Sequence, residues 1–273
     1  MNNILITGNR GFIGSYIQKR LEPHYNIFGI NREDGIDITH LGSLEGLGDD
    51  IEIDSIIHTA AVVSNEYEVC FQANVIGALN MCRYAKEHDI KQFVLLSTIF
   101  ALEEEENSYF NNYGKTKKMA EEAAAAFCQE HGITLTILRL AQVYDDKGIA
   151  KKGQPMLYYF VDTIKNKGEI MIFGKQNPLR NFIHIDYLCE VILEVVSEKK
   201  SGTWNVVENK NHTVTEIAYM LFALLDKKPQ IAFAEDRADI PSVYIPKERR
   251  YVSTNITSIP LIEGLKRIIT YES

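Results

Sequence analysis

The segment ILITGNRGFIGSYI, residues 4–17, constrains the fold of this chain more than any other. An apolar run ends at Thr7, and glycines follow at positions 8, 11 and 14 before an amphipathic stretch begins. That order reads as strand, tight turn and helix start. Glycine lets the backbone turn sharply and approach a ligand with no Cβ in the way. The new helix contributes unpaired N–H groups and a partial positive charge, which suit a pyrophosphate. The pattern follows the logic of a dinucleotide-binding turn, with its first gap one residue longer than usual. Gly8, Asn9, Arg10, Gly11, Phe12, Ile13 and Gly14 are therefore candidate cofactor contacts. The alternative is a glycine-rich turn with no ligand.

The rest of the first half supports the cofactor reading. Apolar runs at Ile4–Thr7, Ile27–Ile30, Ser55–His58, Phe93–Ser97 and Leu135–Leu138 alternate with polar, helix-forming segments. The clearest helix runs from Tyr113 to His131, rich in Ala, Glu and Lys, with Gly132 as its stop. Strand–helix alternation predicts a doubly wound α/β fold, a Rossmann-type parallel sheet with helices on both faces. After the polar break KKGQPM the rhythm changes. A helix over Met156–Lys165, short strands at Ile170–Phe173, Trp204–Val207 and Ile231–Ala234, and a helix over Val214–Leu225 predict a smaller C-terminal α/β layer. The stretch 182–203 reads as one more strand–helix return to the main sheet. Residues 1–153 plus 182–207 are thus expected to form the dinucleotide-binding domain, and 154–181 plus 208–273 the substrate-binding one.

The tip of the second strand bears on which dinucleotide binds. An acidic residue there would bond the adenosine ribose, whereas an arginine accommodates a 2′-phosphate. Here the strand runs into Asn31 and Arg32, and Glu33 and Asp34 come slightly late. Arg32 and Arg10 could grip a phosphate through charge-assisted forks. NADP(H) is expected in preference to NAD(H). The alternative has both arginines in solvent and Glu33 or Asp34 on the ribose. Asp37 and Ile38 are placed to flank the adenine.

A formal net charge of −8 over 273 residues argues against a nucleic-acid binder, though not against a phosphorylated small ligand. Cys70, Cys82, Cys128 and Cys189 are scattered, so neither a disulfide framework nor a metal site is expected. The acidic run Glu103–Glu106 reads as a solvated loop rather than a metal site. The first apolar run starts almost at once and no stretch is long enough to span a bilayer, so a cytoplasmic protein without membrane partners is expected.

Tyr113 and Lys117 stand four residues apart at a helix start and so share a face. A free phenol, with a pKa near ~10, is a poor base at neutral pH. A lysine cation one turn away favours the phenolate, as does an oxidised nicotinamide ring. Such a pair can move a proton to or from a hydroxyl while hydride moves at its carbon. Two unrelated surface residues at this spacing are the alternative.

The stretches TGNRGFIG, GIDI, DSIIHTAA, NVIGALNM, FVLLST, YGKTK, LRLAQVY, RNFIHIDYL and GTWNVVENKNHTVTEIA follow one another in a familiar order. Across nearly its whole length the chain resembles the extended short-chain dehydrogenase/reductase family, in its nucleotide-sugar epimerase, dehydratase and reductase branch. The resemblance implies Tyr113 as acid/base, and Lys117 also as a contact of the cofactor ribose. It places Thr98 at the position that holds the reacting oxygen, with Ser97 beside it toward substrate. Thr59, Ala60 and Ala61 are implied to line the cofactor, while His58 and Asn74 are architectural. Arg180 is implied on the substrate diphosphate, with Arg237 favoured over Arg249 and Arg250 for a second contact. Gln142 replaces a familiar asparagine in the substrate loop.

Departures narrow the chemistry. Ile99-Phe100 stands where dehydratases of this branch carry Asp-Glu, and Phe100 stands where some epimerases carry a cysteine. Reduction of a 4-keto nucleotide sugar by NADPH is the leading expectation, and NAD-dependent 4-epimerisation is the alternative. A non-catalytic NADP sensor ranks lower, because such members typically lose the Tyr/Lys pair. A homodimer through residues 66–88 and 113–131 is a further expectation of the resemblance.

Overall fold

A computed structural model of the chain describes residues 1–47, 51–102, 111–243, 250–251, 253 and 255–271. The acidic run Glu103–Glu106 and Arg249 lie outside the described residues. The runs read as strands form β1 (Asn3–Thr7), β2 (Asn26–Ile30), β3 (Ser55–His58), β4 (Gln92–Thr98) and β5 (Thr134–Leu140). Ile4, Ile6, Ile56, Ile57 and Phe93–Leu95 are almost wholly buried. Burial on both faces is what makes such runs continuous rather than alternating.

Helix α1 (Phe12–Leu21) follows β1. A helical stretch follows β3, as a short α2 (Tyr67–Cys70), a π-helical turn over Phe71–Ile76, and α3 (Gly77–Glu87). Asn74 sits in the π-turn, fully buried. Its side chain accepts from Val62 N–H (2.8 Å) and donates to Val62 O (3.0 Å) and Thr116 Oγ1 (3.1 Å). These bonds fix the loop after β3, which is the architectural role expected of it.

The long helix α4 spans Asn112–His131, capped by the Asn111 side chain and stopped by Gly132 at φ 67°. β6 (Gln142–Tyr144), α5 (Pro155–Lys167), β7 (Ile170–Phe173), β8 (Leu179–Arg180) and β9 (Phe182–His184) follow. Then come α6 (Ile185–Ser197), β10 (Gly202–Val206), β11 (His212–Thr213), α7 (Val214–Leu224), β12 (Ile231–Ala234) and α8 (Leu261–Tyr271).

Six strands form one parallel sheet in the order β10-β5-β4-β3-β1-β2. One apolar cluster joins α1 and α6 to one face, and another joins α3 and α4 to the opposite face. A third cluster gathers α5, α7, α8, β7 and β9. The fold is the doubly wound, Rossmann-like α/β arrangement that the alternation predicts. One expectation is corrected in part. The strand at the head of 182–203, β9, pairs with β6 outside the main sheet, and only β10 returns to it.

Asp145 ties these layers together. It is fully buried and accepts bonds from Tyr16 in α1 (2.9 Å), Tyr158 in α5 (2.8 Å) and the N–H groups of Lys147, Ile149 and Ala150.

Candidate active site

β1 leads across the sheet to β2 on one side, while β3 pairs with its other side. The strand order reverses there, and a crevice opens beyond the carboxyl ends of β1 and β3, where doubly wound sheets place ligands. A groove of about 620 Å³ fills this position. Gly8, Arg10, Gly11, Phe12, Ile13, Gly14, Asn31, Arg32, Ile38, Thr59, Ala60 and Ala61 all line it.

The glycine turn is closely packed. Gly8 adopts φ +71°, and a Cβ there would fall 2.9 Å from Ala60 Cα. A Cβ on Gly14 would fall 2.3 Å from the Gly8 carbonyl oxygen, so α1 can sit this near the turn only as glycine. No side chain caps α1 at Gly11, which leaves its first N–H groups without a side-chain partner. The Thr59 hydroxyl donates to Thr7 O (2.7 Å), holding the wall after β3 against β1. A cradle of backbone and small residues at an uncapped helix start fits a dinucleotide pyrophosphate.

Two expected contacts are not among the residues that line the groove. Asn9 does not line the groove: its amide donates to Gln18 (3.0 Å) and accepts from Asn31 (3.1 Å), making it a strut behind the turn. Asp37 turns to the N–H and hydroxyl of Thr39 (3.0 and 2.8 Å), again away from the groove lining. Val62 and Val63, which the sequence reading omitted, extend the wall begun by Ala60 and Ala61. Glu33 also lines the groove, because a 3₁₀ turn over Arg32–Asp34 brings the carboxylates back toward the glycine loop.

That turn changes the electrostatics of the adenosine end. The Arg10 guanidinium donates to Glu33 (2.9 Å) and to Asp34, and Arg32 lies 3.7 Å from Asp37. Both cations expected to await a phosphate have carboxylate partners.

On the other side, the Tyr/Lys pair leads α4. The Lys117 ammonium is 2% exposed and donates to Leu96 O (2.6 Å), at the end of the strand that carries Thr98. Burial pulls the Lys117 pKa down to about 8, against the opposing pull of Glu121. Thr98 is nearly buried, and its hydroxyl accepts from Phe100 N–H (3.2 Å). Tyr113 is half-buried, and desolvation, with a smaller push from Cys70, raises its pKa to about 12. The expected downward pull of Lys117 on this phenol is absent here, since the ammonium is directed to the strand carbonyl.

Ser97 is corrected as a substrate contact. It is 4% exposed and its hydroxyl donates to Glu121, which Arg139 holds through both carboxylate oxygens. Successive strand residues point to opposite faces, so Ser97 and Thr98 cannot share a task.

Arg180 is corrected too. It is 4% exposed and donates to the carbonyls of Leu179 (2.6 Å) and Pro241 (2.7 Å), fastening the segment before Val243 rather than presenting an open fork. Arg237 is exposed, its guanidinium 5.8 Å from the Phe173 ring centre, and Arg250 donates to Asn209 (2.7 Å). Gln142 is half-buried, with its amide donating to Gln154 (2.8 Å).

His58 is fully buried beside Phe93, bonded to Thr7 Oγ1 (2.9 Å), in keeping with an architectural role. Among the described residues, Asp146, His184 and Asp186 cluster closely enough for a cation. Both His184 nitrogens are engaged by Asp146 and the Asp186 N–H, and Arg267 lies 3.3 Å from Asp186. A positive charge already stands there. No helix among the described residues is long and apolar enough to cross a membrane.

Known proteins share this fold. A putative UDP-glucose 4-epimerase of Methanocaldococcus jannaschii is 23% identical, with 98% of this chain matching 97% of that protein. The crystal structure of a UDP-N-acetylglucosamine 4-epimerase from Methanobrevibacter ruminantium, in complex with UDP-N-acetylmuramic acid, superposes with a TM-score of 0.79 at 19% identity, covering 99% and 98% of the two chains. The NADP complex of a dTDP-4-dehydrorhamnose reductase from Bacillus anthracis superposes at 0.76 and 21% identity, covering 99% and 98%. At such identities these structures establish the fold alone. Residues 4–207, from the first strand through the return of β10 to the sheet, match the model of one family. The glycine turn, the switch-point groove and the Tyr/Lys helix all fall within that span, and the chain belongs to the NAD dependent epimerase/dehydratase family.

Proposed function

We propose that this chain transfers hydride between a nicotinamide dinucleotide in the β1/β3 groove and a carbon, C4, of a nucleotide-activated sugar. The observation that carries the reading is Lys117 anchored at Leu96 O, one turn from Tyr113 and at the end of the strand bearing Thr98. Gly8, Gly11, Gly14 and the start of α1 would hold the pyrophosphate, and Thr59–Ala61 the opposite wall. The cofactor supplies the hydride acceptor or donor. Thr98 orients the sugar oxygen, Tyr113 exchanges a proton with it, and Lys117 braces the Tyr113 turn against the end of β4 and reaches the cofactor ribose. Arg237 and Gln142 are the remaining candidates for substrate contact.

Two reactions fit this machinery. Reduction of a 4-keto sugar by NADPH drew its support from Arg10 and Arg32. The pairing of both with carboxylates weakens that support, because a 2′-phosphate brought near Arg10 would also meet Glu33 and Asp34. This favours NAD, and with it 4-epimerisation, in which the hydride taken from C4 returns to the opposite face. NADPH-dependent reduction is the rival. Denaturing the purified protein and weighing any released nucleotide separates them. Stoichiometric NAD supports the epimerase. NADP, or an empty site that binds NADPH far better than NADH, supports the reductase.

A further inference from the structure

Beneath the Tyr/Lys pair lies a buried charge cluster that the proposed reaction does not use. Tyr113, Lys117 and Glu121 follow one another at four-residue spacing on α4, so all three lie along one stripe of the helix. Glu121 is 3% exposed. Arg139 Nε donates to both of its oxygens at 3.0 Å, Arg139 Nη2 donates to Oε2, and Ser97 Oγ donates to Oε1. Ser97 and Arg139 are direct partners in the β4/β5 register. One carboxylate therefore joins α4 to the adjoining strands β4 and β5. It does so beside Leu96, whose carbonyl receives Lys117, and beside Thr98.

We infer that Glu121 is a positioning residue for Tyr113 and Lys117, supplying the counter-charge to the buried Lys117 ammonium and pinning α4 to the end of β4. The inference rests on the reading of Tyr113 and Lys117 as the reacting pair.

An ammonium removed from water loses its proton readily unless a negative charge stands near. Among the described residues, the groups around Lys117 are few. Tyr113 and Glu121 share its helix, His58 faces it from β3, Cys70 lies by Tyr113 from α2, and Arg139 comes from β5 behind Glu121. His58 stays neutral. Glu121 is the carboxylate acting on Lys117, and it works against the burial that lowers the Lys117 pKa to about 8. The carboxylate is also rigid, since Arg139 and Ser97 together hold both of its oxygens.

The test reads Lys117 itself. Protein labelled with ¹³C and ¹⁵N lysine is titrated by NMR, with Lys117→Met assigning the resonance. In Glu121→Gln the Lys117 midpoint should fall by roughly one pH unit. The alkaline limb of turnover should shift by the same amount, with kcat affected more than KM.

Leaving Arg139 unpaired could unfold the single variant, so Glu121→Gln/Arg139→Gln, which keeps amide hydrogen bonding without either charge, is measured as well. A folded Glu121→Gln variant with an unmoved Lys117 midpoint overturns the inference, as does a folded double variant whose Lys117 midpoint and kcat both match wild type. A lowered midpoint in the double variant upholds it, because relief of the unpaired arginine would restore a merely structural role. The titration needs no substrate. A shifted midpoint in a protein that turns over no nucleotide sugar would therefore count against the proposed reaction and not against Glu121.

Discussion

The Lys117 ammonium donates to the Leu96 carbonyl across 2.6 Å, and this bond fixes the leading turn of α4 against the strand that ends in Thr98. Lys117 and Thr98 thereby meet the carboxyl end of β4, with Tyr113 one helical turn before Lys117. If they act together, Tyr113→Phe should lower turnover at least about a hundredfold while leaving the melting temperature and cofactor binding near wild type. With the Lys117 pKa drawn down to about 8, turnover by the free enzyme should decline as pH rises through that value, because the cation is then lost. Steady-state rates across pH 6 to 10 check both. Undiminished turnover in the phenylalanine variant would remove Tyr113 from the mechanism.

Arg10 is held by Glu33 and Asp34 on a surface where single ion pairs contribute little to stability. The pairing matters for selection instead. Glu33→Ala/Asp34→Ala frees the guanidinium and removes two negative charges from the adenosine end of the groove. Affinity for NADP should rise roughly tenfold relative to NAD. Titration of both dinucleotides into wild type and variant measures the ratio, and an unchanged ratio would place the 2′-position away from Arg10.

How much of this was legible beforehand depended on the reach of each side chain. The strands were readable because a parallel sheet buried on both faces demands continuous apolar runs, as at Ile4–Thr7 and Phe93–Ser97. The glycine turn was readable because its geometry excludes a Cβ at Gly14. Ser97 was misassigned although strand alternation carried the signal, since it sets Ser97 and Thr98 on opposite faces. Glu121 had a signal as well, its four-residue spacing from Lys117. Arg180 and Arg10 offered none. A long, flexible side chain takes its partner from tertiary structure, here the Pro241 carbonyl for one and a 3₁₀ turn closed by Gly35 at φ 80° for the other.

His58 should make the fold sensitive to acid. Burial, with a smaller contribution from Lys117, lowers its pKa to about 3 from the usual 6.5. Between those values the unfolded chain binds a proton that the folded chain does not, so stability falls as pH drops through that window. The slope from this residue is about 1.4 kcal/mol per pH unit, or roughly 2 kcal/mol between pH 6.5 and 5. Urea unfolding of wild type and His58→Asn at both pH values tests this. The asparagine variant, which can still bond Thr7, should lose that part of the dependence.

Asp145 should be costly to alter. Burial alone would raise its pKa, but bonds from the Ala150 N–H, Tyr158 and Tyr16 outweigh burial and hold it below the ordinary value. Its contribution is therefore present at neutral pH and declines as pH falls through the carboxylate range. Asp145→Ala leaves the Tyr16 hydroxyl and the N–H groups of Lys147, Ile149 and Ala150 short of their acceptor, while Tyr158 keeps the backbone carbonyl of residue 145. The expected loss is about 3 kcal/mol, read from chemical denaturation at pH 7. A loss within about 0.5 kcal/mol would mean that Tyr16 and these N–H groups find other partners.

Gly14 tests the cradle most directly. An added methyl would stand 2.3 Å from the Gly8 carbonyl oxygen and 2.9 Å from Asn9 Cα, both backbone atoms with little room to yield. Gly14→Ala must push α1 away from the turn, at a cost of about 1–3 kcal/mol. The same displacement withdraws the N–H groups of the first helical turn from the groove, so dinucleotide affinity should fall by tenfold or more, on the order of 1.4 kcal/mol. Gly11→Ala is the control, since its methyl would meet the same oxygen at 3.1 Å, a contact that a small adjustment relieves. Thermal melts and dinucleotide titrations of the two variants should rank Gly14→Ala as the more damaging in both. Equal affinities in the two would mean that the close approach of α1 to Gly8 serves packing alone and that the pyrophosphate is held elsewhere in the groove.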